Sequence, residues 1–317
     1  MSVAANPSSH ILSGIGRPRA RVTRRFLETM LGGTLALSAS ISVVTTFAII
    51  LILAQETWVF FQSPEVSVTE FFFTKTWAPL LGHEKHFGVW PLVVGTLWVA
   101  GVAALVAIPL GLVVAIYLSE YAPRRVRAVL KPMLEVLAGV PTVVYGFFAL
   151  TFITPTLQRF IPGVESYNAL SAGLAVGIMC IPIVCSLSED ALQAVPRSLR
   201  EGAYAVGSTR FDVSVKVVLP AALSGVVASF LLAIARAVGE TMIVALAAGG
   251  MAQLTMDPRQ SVQTITGYMV QIYLGDTAGL GVEHSSTYAV AMVLFAMTLA
   301  LTLLGHFILV KFREVYE

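Results

Sequence analysis

FLLAIARAVGETMIVALAAGG, residues 230–250, decides how the chain is read. Coiled as a helix, it crosses a hydrocarbon core of about 30 Å. Arg236 and Glu240 nevertheless sit inside it, four residues apart. A charge at the bilayer centre costs roughly 2.5–3.5 kcal/mol on insertion scales, so an intramembrane charge is a functional-site hypothesis by default. In an unbroken helix the two residues share a face, in the order that is poorer for an intrahelical pair. Either the charges pair, with each other or across helices, and lock the packing, or they line a polar pathway. The pathway is the expectation. A guanidinium stays charged in a dehydrated site and offers two parallel hydrogen bonds to an oxyanion.

The rest of the chain agrees with a membrane setting. Of 317 residues, 56% are hydrophobic and 12% charged, against about 25% charged in soluble domains. Apolar runs predict six spans, near residues 28–54, 89–117, 132–155, 169–187, 218–248 and 288–310. The first is too long for a signal-peptide core and is read as a retained helix. Pro109, Pro141 and Pro182 are kink signals. Gly173–Gly177 fits a close helix contact. Cys180 and Cys185 read as small packing residues, and His83 with His86 lacks further metal ligands nearby.

Charge sorts the loops. One side collects Arg17, Arg19, Arg21, Arg24 and Arg25, then Arg124, Arg125, Arg127 and Lys131, then Arg197, Arg200, Arg210 and Lys216, then Lys311 and Arg313. The other side has Lys75, Lys85, Arg159 and Arg259 among many acids. Positive residues collect in the cytoplasm, which predicts both termini there. The aromatic connector 55–88 reads as an interfacial belt. The chain divides into a tail 1–25, a first helix with its external connector 26–88, a core 89–312 and a tail 313–317.

SEDALQAVPRSLREGAYAVGSTRFDVSVKVVLPAAL, residues 188–223, is long for a connector on the basic side. Its helix-forming stretches, broken at Pro196 and Gly207, predict a short amphipathic helix lying outside the membrane, in a loop of about 188–217. Such a helix is either a solvated surface or an element offered to a partner. Glu201-Gly202-Ala203, then Gly207, then Val217, Leu219 and Pro220 match a motif of ABC-importer permeases: E-A-A, three residues, G, nine residues, I, one residue, L-P. Gly202 and Val217 are its departures. The resemblance implies that Glu201, Gly202, Ala203 and Gly207, and more loosely the segment 198–212, belong to a coupling helix seated on an ATPase subunit. No G-x-x-x-x-G-K-[ST] loop occurs in the chain, so ATP-Mg is expected on a separate partner and no cofactor on this chain.

GETMIVALAAGG (239–250), FGVWPLVVGTLWVA (87–100), IPLGLVVAIYLSEYAP (108–123) and LEVLAGVPTVVYGFF (134–148) resemble phosphate-specific permeases of the PstC type. That resemblance implies an all-α polytopic fold with six transmembrane helices, of the type I ABC importer permease class. It implies a bacterial cytoplasmic membrane location. Its partners would be a homologous second permease of the PstA type, an ATPase dimer and an extracytoplasmic phosphate-binding protein, with no nucleic acid. The anion path would run past Arg236 and Glu240, with Thr241, Thr142 and Tyr145 as further candidates. Glu240 would offset Arg236 in the empty state and accept a hydrogen bond from a protonated phosphate, while repelling sulfate. A sulfate or molybdate permease is the near alternative. An ion-coupled carrier is the distant one, opposed by the loop motif and by the lack of inverted-repeat signs.

Overall fold

The computed structural model describes residues 18–80, 85–275 and 281–311. The two termini beyond these bounds and His83 lie outside the described residues. The chain forms two compact units, up to Ala54 and from Gln55 onward. The described residues of the first unit are helical. Its helix, α1, spans Pro18–Gln62 and carries exposed apolar side chains such as Leu35, Val43 and Phe47. The hydroxyls of Ser38, Ser40 and Thr46 donate to carbonyls four residues earlier. Their polar groups are thereby satisfied within the helix, as a lipid setting demands.

The second unit is built on α3 (Trp90–Ile116) and α7 (Ala169–Ala194). A Cβ on Gly173 would lie 2.6 Å from Val102 Cβ, and one on Gly177 would lie 2.9 Å from Val106 Cβ. The close contact expected of Gly173–Gly177 is therefore the α3–α7 seam. Pro109 and Pro182 sit inside these helices without breaking them.

Two other expected spans are bent. α4 (Arg124–Ala138) meets the segment Thr142–Phe160 at 86°. That segment comprises α5 (Thr142–Phe148), a π-turn and α6 (Thr154–Phe160). The expected span 132–155 is thus sharply bent at Pro141, one of the kink signals. Proline at 141 keeps the preceding residue out of the helical region, and α4 is an amphipathic helix with no buried residue. Further on, α8 (Arg197–Ala205) is followed by a helical stretch of α9 (Arg210–Asp212), a π-turn and α10 (Leu219–Ala221). This stretch meets α11 (Leu223–Val238) at 73°. Among the described residues, four helices are long and apolar enough to cross a membrane, or up to six if each bent pair is one span.

Three clusters run along α3. At its start, Leu92 joins Phe60, Phe71, Trp77, Phe87 and Tyr268. Phe71 comes from α2 (Val68–Phe73), and Trp77 and Phe87 pair across a minimal hairpin of β1 (Trp77–Ala78) and β2 (His86–Phe87). Trp77 meets Tyr268 edge-on with ring centroids 4.9 Å apart. These rings form a buried cap, while Trp58, Phe72, Phe73 and Trp90 remain exposed around it. The period-free run of aromatics hid which rings turn inward. The middle cluster packs α3, α5, α7 and α11 with α12 (Met242–Ala247). The third, at the basic end, joins Leu118, Leu192, Val213 and Val218.

The sequence reading missed α13 (Ile265–Leu274), which Thr264 caps by accepting from Gly267 N–H. α14 (Val282–Lys311) closes the described chain.

Candidate functional site

The apolar stretch 230–250 is not one helix. α11 ends at Val238, and α12 begins at Met242. Arg236 lies in the last turn of α11, where the unpaired carbonyl ends favour a cation. Glu240 stands in the break. Its Oε1 accepts from the N–H groups of Met242 (3.2 Å) and Ile243 (3.4 Å), so the carboxylate caps the next helix. The shared-face expectation for Arg236 and Glu240 is thereby corrected. Gly239 ends the first helix, and a carboxylate that can satisfy two orphan N–H groups does so instead of reaching back one turn.

Their surroundings differ. Arg236 is exposed on the chain's surface, and its Nη2 lies 4.0 Å from Met179 Sδ of α7. Glu240 is 7% exposed. Its backbone carbonyl accepts from Thr266 Oγ1 at 2.6 Å. Thr266, on α13, thus fixes the break from outside it, and no local pattern in the sequence could have paired residues so distant. Thr241 caps the start of α12 in backbone terms, and its hydroxyl donates to Gly239 O at 3.3 Å.

Two more candidates lie on α5, which packs on α12 through Gly146 against Ile243 and Leu246. Thr142 opens α5 and is half-buried. Tyr145 is buried, and its hydroxyl donates to Leu137 O at 2.9 Å. That bond ties the end of α4 to α5 across their sharp bend. Beyond α12, Tyr167, Gly249, Gln263 and Gln271 line a cavity of about 330 Å³.

The motif 201–207 lies apart from this break. α8 starts after Pro196 and ends before Gly207, as the sequence suggests. Gly207 has φ +86°, a left-handed turn that suits glycine. Glu201, Gly202 and Gly207 are exposed, while Ala203 and Leu199 rest on the basic-end cluster. Val206 and Phe211 expose 82% and 65% of their surface, an apolar patch beside the motif.

A second charged constellation was not foreseen. α7 runs on to Ala194, past its expected end near 187, and carries Glu189 with a 1% exposed side chain. Arg127 Nη2 reaches Glu189 at 2.5 Å and Lys131 Nζ at 2.7 Å, both from α4. Gln193 donates to it as well. Lys131 also pairs with Asp190 at 2.8 Å. The apolar spacing of Cys185, Ser188 and Leu192 was the available signal that the helix continues.

On the opposite side, His86 pairs with Glu70 at 3.0 Å. Arg259 grips Asp257 and draws its carboxyl down to about 2. Backbone N–H groups at the start of α7 are satisfied by Gln260 and Pro258 carbonyls.

The comparisons with known proteins bear on this arrangement. The chain is 35% identical over 239 residues to the probable ABC transporter permease protein YqgH of Bacillus subtilis, covering 75% of this chain and 77% of that one. It is 30% identical to the phosphate transport system permease protein PstC of Xylella fastidiosa, covering 79% and 81%. Its fold is similar to a chain in the crystal structure of a bacterial ABC transporter involved in the import of the acidic polysaccharide alginate. The TM-score is 0.64 at 12% identity, covering 93% of this chain and 100% of that one. Residues 107–312 match the family model described as binding-protein-dependent transport system inner membrane component. With that match over most of its length, its apolar helices and the exposed α8 motif, the chain belongs to the inner-membrane permease components of binding-protein-dependent transport systems, a multi-pass membrane protein with the type I ABC importer permease fold.

Proposed function

We propose that this chain is the permease subunit through which an ATP-driven importer carries inorganic phosphate into the cytoplasm. The observation that carries the reading is Arg236, an exposed guanidinium at the interruption of an otherwise apolar helix. Discontinuous helices flank substrate sites in many transporters, because the freed backbone groups are tolerated only beside a cavity or protein. The face bearing Arg236 is left open by this chain, which suits a passage shared with a homologous second permease. The printed names of relatives such as the Xylella protein supply the choice of phosphate.

Glu240 has a double part in this reading. Oε1 holds the break open by capping α12. The carboxylate also offers an acceptor for the hydroxyl of a protonated phosphate, which sulfate lacks. Thr241 and Thr142 flank the passage, and Tyr145 holds the corner behind it. Glu201, Gly202, Ala203 and Gly207 present α8 to an ATPase subunit, with the Val206–Phe211 patch as its apolar contact. ATP-Mg binds that partner pair, and an extracytoplasmic binding protein delivers the anion. The basic loops, Arg124 to Lys131 and Arg197 to Lys216, face the cytoplasm, as do both termini. Moving one negative charge inward against about 100 mV costs about 2.3 kcal/mol, so uptake from dilute medium requires a driven pump.

The test is uptake of radiolabelled phosphate by the reconstituted complex, with sulfate and molybdate as competitors. Arg236→Gln is expected to lower uptake at least tenfold while leaving assembly intact. Preferential competition by sulfate or molybdate overturns the phosphate assignment. An unchanged rate and preference in Glu240→Gln removes the role given to Glu240.

A further inference from the structure

Arg200 is the residue that joins α8 to the membrane helices. Its Nη1 donates to Val195 O at 2.6 Å and its Nη2 to Leu192 O at 2.7 Å. Nη2 also pairs with Glu120 at 3.1 Å. Leu192 and Val195 are the C-terminal end of α7, and Glu120 lies in the π-turn Tyr117–Tyr121 that ends α3. One guanidinium therefore donates to two carbonyls at the end of one membrane helix and holds a carboxylate at the end of another. Both partners are largely shielded, with side-chain exposures of 17% for Arg200 and 8% for Glu120.

The rest of α8 has little grip. It has no buried residue; Leu199 and Ala203 lean on the basic-end cluster, and the helix packs beside the π-turn Val213–Val218. α3 and α7, by contrast, are tightly interlocked, because their glycine seam leaves little slack for sliding. α7 in turn places Met179 against Arg236. A displacement of α8 thus has a short physical route to the interrupted helix, and Arg200 is its first link.

We propose that Arg200 is a positioning residue for transport: it converts movement of α8, imposed by the ATPase, into movement of the α3–α7 pair. Without it, the ATPase cycles against a helix that yields. The inference rests on the reading of α8 as the ATPase-contacting element.

The full complex in proteoliposomes gives the test, with labelled phosphate uptake and ADP release measured in the same vesicles. Arg200→Met is expected to lower phosphate carried per ADP released at least fivefold. Hydrolysis without the binding protein should stay within twofold of wild type. Arg200→Lys, which keeps a charge for Glu120 but lacks the fork for both carbonyls, should fall between the two. A ratio unchanged in Arg200→Met, including uptake and hydrolysis falling together, overturns the proposal and leaves Arg200 a helix cap. If Arg200→Met does not assemble, Glu120→Gln decides, because it leaves both carbonyl bonds in place. A ratio lowered at least twofold supports the proposal, and a wild-type ratio overturns it. Wild-type vesicles whose hydrolysis ignores the binding protein overturn the proposed function itself, a failure visible before any variant is made.

Discussion

The Glu189 cluster gives an asymmetry that can be worked out in advance. The carboxylate is 1% exposed, whereas Arg127 and Lys131 keep 34% and 29% of their side chains in contact with the surroundings. Glu189→Gln removes the anion and strands nothing. Arg127 and Lys131 can turn outward, and Lys131 retains Asp190, which is 59% exposed. The loss is then two charge-assisted hydrogen bonds that partly re-form with the amide, about 1–2 kcal/mol. The double change Arg127→Met with Lys131→Met does the opposite. It leaves a buried carboxylate facing only Gln193, and breaking a buried pair in that sense costs about 3–5 kcal/mol. At roughly 2–4 °C per kcal/mol for a domain of this size, the double variant should melt about 10 °C lower and the Gln variant only a few degrees lower. Thermal unfolding of the purified complex, followed by tryptophan fluorescence, reads both. Either single cation variant should lie near the Gln variant, because the remaining cation still serves Glu189. A Gln variant less stable than the double variant would refute the reasoning, since it would mean that the cations and not the anion are the stranded charges.

Other expectations concern the seam, the cap, the bend and the outer loop. Gly173→Val overpacks α3 against α7 and should cost about 1–3 kcal/mol, whereas Gly101→Val, with no atom of this chain within 4 Å of its added Cβ, should be near neutral in the same melting assay. Phe60→Ala empties a fully buried site in the aromatic cap and should cost about 3–5 kcal/mol. Tyr145→Phe removes the hydroxyl that ties α5 to Leu137 O, which keeps the Val140 N–H at 3.3 Å, and should lower stability by about 1 kcal/mol, with phosphate uptake per complex unchanged. Asp257, held down to about 2 by Arg259, stabilises its loop fully above the ordinary carboxylate value of about 4 and loses that contribution as pH falls through about 2. Carbon-13 shifts of the Asp257 carboxyl should show that low midpoint, and Arg259→Gln should move it up toward 4.

Local signals carried far in this chain. Apolar runs near 20 residues announced the membrane helices, because a segment that must satisfy its own backbone in lipid can do so only as a helix. Pro196 and Gly207 bounded α8 correctly, since both act through their own backbone geometry. The family motif was readable for the same reason: its spacing lies within one short loop. What the tertiary structure decided are the matters that depend on distant residues. The apolar runs on either side of Gly239–Thr241 merge into one span-length stretch, so hydropathy could not show that α11 stops there or that Glu240 spends an oxygen on the next helix. Thr266 holding the Glu240 carbonyl, Glu189 gathering two cations from α4, and Arg200 reaching Glu120 each join parts of the chain that meet only when the helices pack. The inward turn of Phe60, Phe71 and Trp77 was likewise settled by the cap they build together. Composition specifies that a residue prefers burial; which neighbour buries it is a property of the assembled helices.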